Sequence, residues 1–189
     1  MSLLYVRTAK TASSTVNDWC GPELLVTFNQ RFLDHEPNEK NIKIGLERKD
    51  YLFTTVRNPF TRALSQWQQA LKSNWVKKDT SFDDFLNWDF RSSQSEHIDT
   101  HMCSLTEYLS PLLCKINKII KIENLEKELR DLEKKFNLPE RRIGSFNQGN
   151  YRKEMDYHQF YSPERVKKLM KRYEEDFDTF QYSKNVVDI

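Results

Sequence analysis

Tyr51-Leu52-Phe53-Thr54-Thr55-Val56-Arg57-Asn58-Pro59-Phe60 reads as a strand that runs directly into a helix. Its first six residues are apolar or β-branched with no polar alternation, the pattern of a strand covered on both faces. Asn58 can cap a helix N-terminus, and Pro59 suits the first helical position, where a missing N–H does no harm and φ is already helical. The spacing predicts a helix from about Pro59 to Lys72. A buried strand followed at once by a helix is the unit from which parallel α/β sheets are built.

Outward from this stretch the unit recurs. Leu3 to Arg7 reads as a first strand, and Val16-Asn17-Asp18-Trp19 can continue as a helix beyond the turn. Ile116 to Ile122 reads as another strand, followed by Leu125, Leu129, Leu132 and Phe136 on one helix face that Pro139 closes. Ser162-Pro163-Glu164 starts a further helix with Val166, Leu169, Met170, Tyr173 and Phe177 on its inner stripe. Ser81 caps a shorter one that carries Phe82, Phe85 and Leu86. These stripes read as core. The expected fold class is α/β with a short, mainly parallel sheet, and no repeat or linker divides residues 1–189 into more than one domain.

Thirty Lys plus Arg against 28 Asp plus Glu leave a net charge of +2, so no global field advertises a nucleic-acid partner and any polyanion site is local. At 38% hydrophobic and 13% aromatic, the composition is that of a folded chain rather than a disordered one. No apolar run is long enough to span a membrane and no signal peptide precedes Leu3, so a cytoplasmic protein is expected; a chain trimmed of an N-terminal anchor in a Golgi-type lumen reads the same. Cys20, Cys103 and Cys114 lack metal-ligand spacing and are odd in number, which points to free buried thiols.

Between the first strand and its helix lies Arg7-Thr8-Ala9-Lys10-Thr11-Ala12-Ser13-Ser14-Thr15. A strand, a turn of small residues and a helix N-terminus aim backbone N–H groups and the positive end of a helix dipole at one point. Hydroxyls and a lysine add donors and a mobile charge to an anion site there. A plain capped helix uses the same residue types, and the segment alone does not separate the two. Gly-x-x-x-x-Gly-Lys-[Ser/Thr] cannot be written anywhere on the chain. Arg57 stands at the C-terminal end of its strand, the edge where open α/β sheets bind ligands, and its guanidinium can grip a phosphate bidentately. Ser65, two turns into the following helix, can return a hydroxyl to the same group.

Lys10 to Thr15 resemble the 5′-phosphosulfate loop of the sulfotransferases that use 3′-phosphoadenosine-5′-phosphosulfate (PAPS), in particular the membrane-type carbohydrate group of heparan-sulfate and chondroitin sulfotransferases. Ala9 stands where that family usually has Pro. Phe53 to Ser65 resemble its 3′-phosphate element, aromatic-x-x-Val-Arg-[Asn/Asp]-Pro with a following Ser. Ile120 to Glu126 and Tyr161 to Glu164 resemble scaffold blocks of the same family, and Ser145 to Lys153 fall where relatives place a loop over the 3′-phosphate. The resemblance implies a P-loop-like three-layer fold with the sheet flanked by helices. It implies PAPS as co-substrate, its desulfated product PAP, and no metal. The nucleotide-binding residues are then Arg7, Lys10, Thr11, Ala12, Ser13, Ser14, Thr15, Arg57 and Ser65, with Arg152 and Lys153 closing the 3′ end.

Sulfuryl transfer needs a base for the acceptor's proton, an in-line approach and stabilisation of the charge that develops on the leaving phosphate oxygen. The resemblance implies Lys10 as the catalytic cation and His35 as the base, since relatives carry a Gly-His-Val-Pro-like segment where this chain has Asp34-His35-Glu36-Pro37. Glu36 is the fallback. His97 and His101 can share a helix face, but no third ligand at suitable spacing accompanies them. In the family's light His101 falls before the acceptor-side loop, and a Cys103–Cys114 bridge is conceivable only for an exported protein. Trp67, Trp75 and Trp88 read as core or as stacking surfaces for an acceptor, expected to be a carbohydrate or a small hydroxyl-bearing molecule. The competing functions are a nucleotide-dependent kinase and a nucleotide-binding relative without activity.

Overall fold

The computed structural model describes residues 3–21, 25–27, 46–144 and 157–188. Its strands are β1 (Leu3–Val6), β2 (Leu25–Thr27), β3 (Tyr51–Val56) and β4 (Lys118–Lys121), in the spatial order β2-β1-β3-β4 with every pairing parallel. Its helices are α1 (Ser13–Cys20), α2 (Pro59–Lys72), α3 (Phe82–Asn87), α4 (Glu96–Met102), α5 (Leu105–Leu109), α6 (Leu125–Phe136) and α7 (Pro163–Thr179). This is the expected α/β, P-loop-like class with a short parallel sheet and flanking helices. The three-residue β2 was not foreseen, since nothing in so short a segment distinguishes it from loop. By contacts the chain divides into two compact units, Met1–Arg57 with Leu109–Gly149, and Asn58–Tyr108 with Asn150–Ile189.

The first unit holds the sheet. Register sets Leu3 opposite Tyr51, Tyr5 opposite Phe53 and Thr55 opposite Ile120, so Leu3, Tyr5, Phe53 and Ile120 share one face. They pack with Val16, Trp19 and Cys20 of α1 and with Leu129 and Leu132 of α6. Tyr5 stacks on Phe53 with ring centroids 5.1 Å apart, and Trp19 meets the same ring edge-on at 6.1 Å. Leu4, Val6, Leu52, Thr54 and Val56, on the other face, are buried as well, which is why β3 shows no polar alternation.

A buried ion network ties α1 to α6. Glu133, 5% exposed, accepts from Trp19 Nε1 at 2.8 Å, from Arg130 at 2.8 Å and from the backbone N–H of Arg141 at 3.0 Å. Arg141 in turn donates to the carbonyls of Trp19 and Cys20 that end α1, a cation placed where the helix dipole is negative. Burial acts to raise the Glu133 pKa, but the hydrogen bonds from Arg130, Trp19 and Arg141 outweigh it and hold the carboxyl below its ordinary range. Asn137, in the left-handed region at φ 50, ends α6 before Pro139 is reached.

The second unit is helical. Asn58 caps α2 as its sequence predicts, its Oδ1 accepting from Phe60 N at 2.9 Å with Pro59 at the first turn. Ser81 and Ser162 likewise cap α3 and α7. Phe60 packs on Tyr161 and Phe177, each with ring centroids 5.1 Å apart, and the Tyr161 hydroxyl donates to the Phe60 carbonyl at 2.5 Å. Of the α7 stripe, Leu169, Tyr173 and Phe177 are buried while Val166 and Met170 are half-buried. Asp176, 1% exposed, accepts from the N–H groups of Leu105 and Thr106 at 2.9 and 2.7 Å and lies 3.7 Å from Arg62 Nη1. The carboxylate thereby satisfies the first-turn donors of α5.

Candidate active site

The turn between β1 and α1 is held in an unusual backbone conformation. Lys10 and Ala12 adopt positive φ, 64 and 57 degrees, in the left-handed region that L-residues with a Cβ seldom occupy. Ala12 is the N-cap of α1 and supplies no side-chain cap, and the first turn carries no acidic residue. First-turn N–H groups have no intrahelical acceptor, and the helix dipole adds positive potential there. Ser13 and Ser14 are half-buried in that turn and Thr15 is buried. The helix's own first turn thus supplies no carboxylate that would compete with an anionic ligand.

Buried hydroxyls fasten this turn to the end of β3. The Thr8 and Thr11 hydroxyls lie 2.6 Å apart, Thr8 donates to the Thr55 carbonyl at 2.6 Å, and Thr11 and Thr55 share a hydrogen bond at 2.9 Å. Thr54 adds a bond from its hydroxyl to the Val6 carbonyl at 2.7 Å. Two residues beyond Thr55 comes Arg57, 5% exposed, the first residue after the strand. β1 and β3 are adjacent and parallel, with Val6 opposite Thr54, so the Lys10 turn and Arg57 leave the sheet from the same edge. β2 lies on one side of β1 and β3 on the other, which makes that edge the point where strand order reverses.

The structure therefore brings Arg7, Lys10, Thr11, Ala12, Ser13, Ser14, Thr15 and Arg57 to one edge of the sheet in one unit. Thr11 is fully buried with its hydroxyl engaged internally, so its backbone is what it can present to a ligand. Ser65 belongs to α2 in the other unit and is 5% exposed. His35, Glu36, Arg152 and Lys153 lie outside the described residues. Thr8 and Thr55 were missed as site-building residues because a threonine in a strand or turn reads first as β-propensity or capping.

In the helical unit Trp67 donates its indole N–H to the Thr80 carbonyl at 3.0 Å and packs on Phe82, a core role. Trp75 and Trp88 are half-exposed and line an open cleft of about 760 Å³ together with Lys77, Lys78 and Asp84. The rings of His97 and His101 both sit 5.3 Å from Trp75, and His101 Nδ1 is 2.9 Å from the His97 carbonyl. Among the described residues no group of three or more His, Cys, Asp or Glu is placed to hold a metal ion. All three cysteines are free thiols; Cys20 and Cys103 are buried, but Cys114 is exposed, contrary to the expectation that all would be buried. Burial pushes the Cys20 thiol up to about 12, with Arg141 opposing it, so it is chemically inert at neutral pH. Among the described residues no helix is long and apolar enough to cross a membrane.

Comparison with known proteins bears on this arrangement. No curated protein matches the chain significantly. A sequence model described as "Sulfotransferase family" matches residues 2–183 and so takes in the β1–α1 turn, β3 with Arg57, and both units. With nearly its whole length matched, the chain belongs to the sulfotransferase family and is a transferase enzyme.

Proposed function

We propose that this enzyme transfers a sulfuryl group from PAPS to a hydroxyl of an acceptor, with residues 1–189 acting as one sulfotransferase domain. The observation that carries the proposal is the shared sheet edge: a lysine-bearing turn opening a helix free of first-turn carboxylates, beside a strand end that presents Arg57. PAPS has a phosphate at its 3′ end and a phosphosulfate at its 5′ end, and this donor set suits such a ligand. When bound it supplies the sulfuryl group and a phosphate leaving group.

The chain's own residues would then divide the work. The N–H groups and hydroxyls of Ser13, Ser14 and Thr15 hold the 5′ phosphate, with the α1 dipole favouring its charge. Lys10 places its ammonium at the bridging oxygen, where negative charge grows as the sulfur–oxygen bond breaks. Arg57, and on the family resemblance Arg7, Ser65, Arg152 and Lys153, hold the nucleotide and its 3′ phosphate. His35, again on the resemblance, takes the acceptor's proton, with Glu36 in reserve. A carbohydrate acceptor, as in the membrane-type group, is proposed on the family resemblance.

A thermal-shift assay tests the donor. PAP is expected to stabilise the protein without magnesium; stabilisation by ATP only, and only with magnesium, would overturn the proposal. A screen of acceptors with radiolabelled PAPS tests the reaction. Lys10→Ala is expected to lower turnover by about 10²- to 10³-fold with a much smaller loss of PAPS affinity, the signature of a group acting mainly in the transition state. If His35→Ala leaves turnover unchanged while Lys10→Ala abolishes it, the enzyme stands and the base lies elsewhere.

A further inference from the structure

Left-handed backbone at Lys10 and Ala12 persists only where surrounding contacts over-determine it, and buried hydroxyls are among those contacts. Thr8 and Thr11 bracket Lys10 and bond each other at 2.6 Å. Both also reach Thr55, Thr8 at its carbonyl at 2.6 Å and Thr11 at its hydroxyl at 2.9 Å. Tyr5 closes the set from β1, its phenol oxygen 2.8 Å from the Thr55 hydroxyl. Thr8, Thr11 and Thr55 are each 1% exposed or less, so their side chains lie beneath the site rather than in it.

The covalent connections give this cluster its consequence. Thr11 is bonded to Lys10, and Thr55 is separated from Arg57 by Val56 alone. Any shift of Thr11 against Thr55 therefore changes the spacing between the element at one end of the ligand and the element at the other. A hydroxyl both donates and accepts, so a set of them can satisfy itself in a small dry space. Being neutral, it does so without setting a carboxylate against an incoming anion.

We propose that Thr8, Thr11 and Thr55 are positioning residues, a buried hydroxyl clamp that sets the spacing between the Lys10 turn and Arg57 and so selects a nucleotide phosphorylated at both its 3′ and 5′ ends. The proposal rests on the PAPS reading above. A ligand held at two ends gains affinity from the second contact only when the two elements stand at its own span, whereas a ligand held at one end is indifferent to that span.

Calorimetric titration of PAP and of adenosine 5′-monophosphate into wild type, Thr55→Val and Thr55→Ser tests this, with the melting temperature of each protein recorded alongside. Thr55→Val is expected to weaken PAP about tenfold and the monophosphate less than about twofold, and Thr55→Ser, which keeps the hydroxyl, is expected to restore PAP binding. Equal losses for the two nucleotides, or no rescue by serine, would overturn the clamp and leave Thr55 a fold residue only. If Thr55→Val does not fold, Thr8→Val is measured with the same expectation. A wild type that does not prefer PAP to the monophosphate overturns the PAPS reading itself, and the clamp's role with it. A wild type that does prefer PAP, with Thr55→Val unchanged, overturns the clamp alone.

Discussion

Two buried polar clusters, one in each compact unit, are built in different ways. At the N-terminal end of α1 the first unit buries neutral hydroxyls, Thr8, Thr11 and Thr55. In the second unit one buried cluster is charged, with Asp176 accepting from Leu105 and Thr106 and Arg62 Nη1 3.7 Å away. The first unit also buries a carboxylate, Glu133, but beside Trp19 and Arg141 at the C-terminal end of α1. Both scaffold clusters are thus built on a carboxylate, whereas the side chains bonded together beneath the helix end proposed to receive an anion are neutral hydroxyls. A carboxylate there would cancel the positive potential on which anion binding depends.

Substitutions can break or sharpen this contrast. The largest effect on stability is expected from Asp176→Ala, which removes the carboxylate beside buried Arg62 and the acceptor of the first N–H groups of α5; a loss of about 3 to 5 kcal/mol in urea denaturation is expected. A loss no greater than that of Thr55→Val would erase the distinction between the two clusters.

Next comes Glu133→Gln, expected to lose about 2 kcal/mol at neutral pH. Because its folded-state pKa lies below the ordinary value of 4.5, the ionised carboxyl's contribution is whole above that value and fades as pH falls through the depressed one. The stability gap between wild type and Glu133→Gln should therefore close in acid. A gap that stays constant there would show that the network depends on shape rather than charge.

Thr55→Val is expected to lose only about 1 kcal/mol, and without acid dependence, since neutral hydrogen bonds are exchanged for an isosteric methyl. The smallest change is expected from Ala12→Gly, a gain of about 0.5 kcal/mol because glycine accepts the left-handed φ that alanine resists. If Ala12→Gly destabilises instead, the turn is less strained than its dihedrals indicate.

Much of the architecture was legible from local signals. The helix Pro59–Lys72 was bounded correctly because its start is written in adjacent residues, with Asn58 bonding the N–H of Phe60. Ser81 and Ser162 announced their helices in the same way. The Lys10 turn and Arg57 were legible as anion-binding types for a related reason: helix N-termini and strand ends are local geometries, and the residues that serve them sit in sequence beside them.

What the sequence determined by itself is therefore the alternation of strand and helix, the caps, and the residue types at the proposed phosphate ends. Tertiary structure alone decided which polar groups meet. Thr11 finds Thr55 across 44 residues, Trp19 finds Glu133 across 114 and Leu105 finds Asp176 across 71. No local pattern encodes such pairings, because they follow from strand register and helix packing, and until those exist a threonine in a strand is indistinguishable from any other β-branched residue. The hydroxyl cluster beneath the Lys10 turn belongs to the same class of fact, visible only once the chain has brought Thr8, Thr11 and Thr55 together.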